Sequence, residues 1–78
     1  MDGIKLLDVV ALLEDLPGQG LRRGDVGTIV EVFEQNQHHP GGFTVEFVND
    51  SGEVYAHADI TDARQLVKLH FNFQREAA

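Results

Sequence analysis

Cysteine is absent from this 78-residue chain. That excludes a disulfide, a thiolate metal site and a cysteine nucleophile, and it fits a reducing compartment. Basic residues are scarce: six lysines and arginines stand against thirteen aspartates and glutamates, a formal net charge of −7. Nucleic-acid binding draws much of its affinity from neutralised phosphates, so this balance argues against DNA or RNA and favours a basic or neutral partner. The same acidity keeps a small domain soluble. Serine occurs once, as Ser51 in the turn-forming run Asn49-Asp50-Ser51-Gly52, and it suits that turn better than a hydrolytic triad. No apolar run reaches membrane-spanning length: the segment behind Met1-Asp2-Gly3-Ile4-Lys5 is interrupted by Asp8 and closed by Glu14-Asp15. The first residues also lack a basic region. Neither a signal peptide nor a membrane span is expected, and the cytoplasm is the most economical location.

What is present is a single domain over residues 1–78, with its core over about 5–71 and a tail over 72–78. A chain this short buries only about 60% of its unfolded surface, so a large enclosed substrate cavity is not expected. The most informative stretch is Leu21-Arg22-Arg23-Gly24-Asp25-Val26-Gly27-Thr28-Ile29-Val30-Glu31-Val32-Phe33. Two glycines three apart flank Asp25-Val26 and lead into a β-branched run, which reads as a sharp turn entering a strand. Ile29 and Val30 are adjacent apolar residues, so a bulge or a bend between two sheets is expected in that strand.

Before it, residues 4–16 fit a helix through Leu6, Val9, Val10, Leu13 and Leu16, or a strand through Val9, Ala11 and Leu13. The Val9-Val10 pair favours a short turn and then a strand over about 8–14. Residues 15–27 form a long loop punctuated by Pro17-Gly18, Gly20, Gly24 and Gly27. Further on, Phe43, Val45 and Phe47 alternate with Thr44, Glu46 and Val48. Val54, Ala56, Ala58 and Ile60 alternate with Glu53, Tyr55, His57 and Asp59. Joined by Asn49–Gly52, these two period-two runs predict a β-hairpin. Thr61–Gln65 is long enough for one 3₁₀ turn. A last strand over 66–71 follows, with Val67, Leu69 and Phe71 on one face and Lys68 and His70 on the other.

Five short strands, a long first loop, a tight hairpin and a 3₁₀ turn before the last strand describe an all-β, five-stranded SH3-like barrel. An OB-fold is the alternative, but the Asn49–Gly52 turn leaves no room for its usual helix.

The segments Leu7–Pro17, Gly20–Val32 and Val45–Val48 resemble the bacterial family called domain of unknown function 4926. With the Gly52–Tyr55 and Leu66–Leu69 regions, the likeness covers about residues 5–70. It implies an SH3-like barrel and brings no catalytic residue with it. A weaker likeness is to the KOW-type barrels of ribosome and transcription factors, through Gly24-Asp25-Val26-Gly27-Thr28-Ile29-Val30. KOW domains that hold RNA are usually basic, whereas only Arg22-Arg23 is a basic cluster here.

No catalytic, cofactor or metal constellation is legible. His38-His39 lie beside Pro40-Gly41-Gly42 in a loop, where neighbouring side chains point apart. His57 and Asp59 share a strand face, but no third ligand stands at a known spacing. The candidate partner-binding residues are Arg22, Arg23, Tyr55, His57 and Glu46. Arg22-Arg23 can pair with a partner's carboxylates or phosphate, or with an acid of its own chain such as Asp25. Glu46 belongs with Glu31, Glu53 and Asp59 to an outward acidic set. Tyr55, with Val48 and Phe33, offers exposed apolar anchors. These groups serve as interface anchors or cover an open barrel end; the same choice holds for Phe71 and Phe73, which could instead bury a homodimer contact. The expected function is a small acidic protein-binding module without catalysis of its own, the accessory or neutralising partner in a two-protein system. The alternative is a KOW-like RNA- or ribosome-associated module.

Overall fold

A computed structural model describes residues 3–70. The expected tail over 72–78, with Phe73, and Phe71 at the end of the expected last strand lie outside them. Five strands, β1 (Val9–Leu12), β2 (Val26–Phe33), β3 (Gly42–Val48), β4 (Val54–Ile60) and β5 (Leu66–Lys68), form one antiparallel sheet in the order β4-β3-β2-β1-β5. Among the described residues the helical segments are two 3₁₀ turns, Pro17–Gln19 and Ala63–Gln65. The second precedes β5, as the sequence implies. Asp62 caps it, its carboxylate accepting the Arg64 N–H at 2.9 Å.

Among the described residues the sheet is open: β4 and β5 are its two edges. Its inner face is nevertheless buried against itself. Ile60 of β4 and Leu66 of β5 join Val10, Leu12, Leu21, Ile29, Val45, Phe47 and Ala58 in one apolar cluster. Residues from opposite edges meet in one core only if the sheet bends strongly between them. Part of that bend sits in β2. Its register with β3 runs from Ile29↔Val45 to Glu31↔Thr44, which leaves Val30 as the extra residue of a bulge. Ile29 is fully buried and Val30 is exposed, so the adjacent apolar pair does mark the bulge. Gly27 allows the close approach beside it. A Cβ there would lie 2.6 Å from Val45 Cγ1 and 2.7 Å from the Glu46 carbonyl oxygen.

A second bulge follows the hairpin. Phe47 pairs with Ala56, but Val48 pairs with Val54, so Tyr55 is the extra residue. This corrects the face assigned to Val54, which turns outward although the alternation places it inward. The facing of β1 is corrected too. Val10 lies opposite Gly27 and is buried with Leu12, so Val9 and Ala11 take the outer face. In β5 the inner residue is Leu66 and Val67 is exposed, the reverse of the expected facing. Lys68 lies opposite Val10 and so follows Leu66 on the inner side, where its ammonium reaches Asp8 Oδ2 at 3.3 Å. The long first loop is also more ordered than its glycines imply. Leu16 and Leu21 exchange backbone hydrogen bonds around the first 3₁₀ turn, and Leu21 is 1% exposed, a core residue.

Candidate functional site

Side chains in a strand alternate between faces, so pairing register lays the outer face out in rows. One row crosses the sheet. Val67 opposes Ala11, Ala11 opposes Val26, and Val48 opposes Val54. Val26 and Val48 are adjacent by continuation of the Gly27↔Phe47 pair. Val26, Val48, Val54 and Val67 are each 40–47% exposed. All five strands therefore contribute to one apolar row that faces away from the core. The next row is Val9, Thr28, Glu46 and His57, and the one beyond it is Glu31, Thr44 and Asp59.

The polar rows are tied by cross-strand pairs. His57 Nε2 lies 3.4 Å from Glu46 Oε2, and Thr44 Oγ1 donates to Asp59 Oδ1 at 2.8 Å. His57 and Asp59 thus each turn toward β3 rather than toward one another. Among the described residues no group of three histidines, aspartates or glutamates is placed to hold a metal ion. His38 and His39 lie in the loop before β3, where their backbone N–H groups donate to Asn36 Oδ1.

Tyr55, as a bulge residue, leaves the strand alternation. Its ring centroid is 6.5 Å from that of Phe47, at an interplanar angle of 49°. It also reaches toward Asp25. Partial burial and then the nearby Asp25 carboxylate push its phenol above the ordinary value. A groove of about 530 Å³ runs here between the Gly24–Val26 turn and the β3–β4 hairpin turn, with Tyr55, Asp25, Asp50 and Val48 in its walls. The hairpin turn is built by Asn49, whose Oδ1 accepts the Ser51 and Glu53 N–H groups. Ser51 is therefore a turn residue, as its sequence setting implies.

Arg22 and Arg23 occupy the exposed turn ahead of β2. Their backbone is anchored: Arg22 N–H donates to Asp25 Oδ2 and Arg23 N–H to Asp15 Oδ1, both at 2.9 Å. Asp25 thus serves the turn, and Gly24, at φ +94°, takes the left-handed conformation the turn requires. Among the described residues neither guanidinium forms an ion pair. The structure brings Glu46 and His57 into contact and sets Tyr55 beside the Asp25 turn. Arg22 and Arg23 stand on that turn, and among the described residues they form no hydrogen bond or ion pair with any of the three.

The charges are segregated. Residues 24–63 contain eight carboxylates and no lysine or arginine, so the three strands β2, β3 and β4 carry none. At the other side of the sheet, Lys5 and Lys68 both lie against Asp8, and Arg64 holds Asp62 at 3.0 Å. Residue-by-residue reading missed this segregation, although the 40-residue gap between Arg23 and Arg64 displays it. It also missed the apolar row, which depends on register and on the Tyr55 bulge and leaves no periodic signal.

No helix among the described residues is long and apolar enough to cross a membrane. A family model described as Domain of unknown function (DUF4926) matches residues 6–67. No curated protein and no solved structure gives a match.

Proposed function

The chain belongs to the DUF4926 family, and on that premise we propose that it is a small, acidic, SH3-like protein-binding module with no catalysis of its own. In this reading it acts in the cytoplasm as the accessory or neutralising half of a two-protein system. The strand order β4-β3-β2-β1-β5, the bent second strand and the 3₁₀ turn before β5 support the SH3-like reading. The observation that carries the function is the outward apolar row across all five strands, with Glu46 in the adjoining row and Glu31 and Asp59 in the row beyond. An exposed apolar stripe beside carboxylates suits a partner with apolar and cationic side chains. Tyr55 supplies an aromatic anchor at its end, and Glu46 and His57 lie in the adjoining row. The test compares proteins retained from native cell extract by the chain and by its Val26→Glu/Val48→Glu variant. A partner held by the native chain and lost by the folded variant supports the reading. Equal retention by both, or repeated recovery of no protein, overturns it.

One observation favours a second reading. Arg22 and Arg23 are without ion-pair partners among the described residues, on the turn that carries the KOW-like likeness. An RNA-binding module predicts salt-sensitive RNA binding that Arg22→Glu with Arg23→Glu abolishes. No binding at low salt removes it.

A further inference from the structure

The geometry points to the free edge of β4 as a strand-addition site for a lysine- or arginine-bearing extended segment of a partner protein. This rests on the protein-binding reading and adds the mode of attachment and the chemistry of the segment.

The sheet ends at β4, seven residues long, whereas the opposite edge β5 has three. Among the described residues the backbone of β4 hydrogen-bonds only to β3. Which of its groups face outward follows from the register. Ile29 exchanges its backbone hydrogen bonds with Leu7 and Asp8, ahead of β1. Antiparallel pairing alternates, so Thr28 turns its N–H and C=O to β3, and its partner Glu46 turns back toward β2. Glu46↔His57 is then a non-hydrogen-bonded pair, and His57 presents its N–H and C=O to the open edge. Asp59, two residues on, does the same. Natural edges are usually blunted by lysine, proline or a bulge. β4 has no lysine or proline, and its bulge at Tyr55 lies near its start, which leaves Ala56–Ile60 regular.

Charge selects the occupant. A strand added here extends the rows of the outer face, and its outward side chains fall beside His57 and Asp59, next to Glu46. Those positions favour lysine or arginine. A second copy of the chain would bring the same carboxylates together and is disfavoured by its own charge of −7. On the inner side the neighbours are Ala56 and Ala58, small apolar residues beside which apolar side chains such as valine are favoured. Alternating cationic and apolar residues are thus the complement of β4.

The probe is a peptide of about ten residues, long for a strand, alternating lysine with valine. Its control replaces each lysine by glutamate. Amide hydrogen exchange is followed on the full chain. The lysine peptide is expected to slow exchange at His57 and Asp59 by about tenfold or more, and the glutamate peptide to leave it unchanged. His57→Pro removes an outward donor without breaking the ladder to β3, so it is expected to abolish the protection at Asp59. His57→Thr, which keeps the N–H, is expected to retain it and shows that loss of the imidazole is not the cause. Binding of the lysine peptide with protection elsewhere overturns strand addition and leaves the protein-binding reading standing. No binding, or His57 and Asp59 amides already protected in the chain alone, also overturns it.

Discussion

Gly27 shows how narrowly one residue constrains this fold. Gly27→Ala drives a methyl group against Val45 Cγ1 and the Glu46 carbonyl, one of which is backbone that cannot yield. A loss of about 1–3 kcal/mol is expected, read as a lower urea midpoint. Leu7 presents the opposite case. It takes φ +71° and is 70% exposed, and together with Asp8 it opposes Ile29 in a bulge position that glycine usually fills. The left-handed conformation costs a leucine about 1–2 kcal/mol, of which glycine's greater unfolded freedom takes back about half. Leu7→Gly should therefore raise the thermal midpoint slightly; a lower midpoint would contradict this account of Leu7. Asp8 and Asp62 give the acid response. The Lys5 backbone N–H, aided by Lys68 and opposed by partial burial, holds the Asp8 carboxyl below 3.8, the ordinary value. The Arg64 side chain does the same for Asp62. A depressed folded-state value means stability that is fully present above about pH 4 and is lost as pH falls through that lowered value. Asp8→Asn is expected to be less stable than the native chain at pH 7 and to lose less on acidification, as urea midpoints at pH 7 and pH 3 will show.

At the scale of elements, the two bulges decide which side chains reach solvent. Val30 is the unpaired residue in β2, so deleting it forces one half of the strand to turn its wrong face to the core. The deletion is expected to abolish cooperative unfolding, whereas Val30→Ala, which keeps the bulge, should change stability by no more than about 0.5 kcal/mol. Dispersion of amide resonances separates the two outcomes. The same elements mark where sequence was legible. The β3–β4 hairpin, the 3₁₀ turn before β5 and the β2 bulge carry local signals: strict alternation, an Asn-Asp-Ser-Gly turn and an adjacent Ile-Val pair. The facing of β1 was ambiguous because apolar residues occupy both of its faces, and only pairing with Gly27 buries Val10 and Leu12. The burial of Leu21 depends on its bridge to Leu16, a contact within a glycine-rich loop that carries no period. Tyr55 was singled out as an aromatic on an outward face, but its bulge and its reach toward Asp25 arise from tertiary register.

The whole molecule is a curved sheet with charge sorted across it. Among the described residues the lysines and arginines gather near Asp8, on the turn ahead of β2 and at Arg64, while residues 24–63 contain carboxylates and no lysine or arginine. The individual members of the candidate site were readable from residue types: Glu46 and His57 are where a strand face was expected to show them, and Tyr55 is exposed, though from a bulge. Their assembly beside an apolar row was not readable, because that row is composed of one residue from each of five strands. Long-range steering by such a field makes association with a basic partner faster at low salt, so the association rate should fall as ionic strength rises while dissociation changes little. Stopped-flow mixing with the captured partner checks this. The most direct measurement is the affinity of that partner for the native chain and for its Glu46→Lys/Asp59→Lys variant, with both shown to be folded. The account predicts binding weaker by about tenfold or more in the variant; equal affinity would contradict the assignment of the acidic outer face as the binding site.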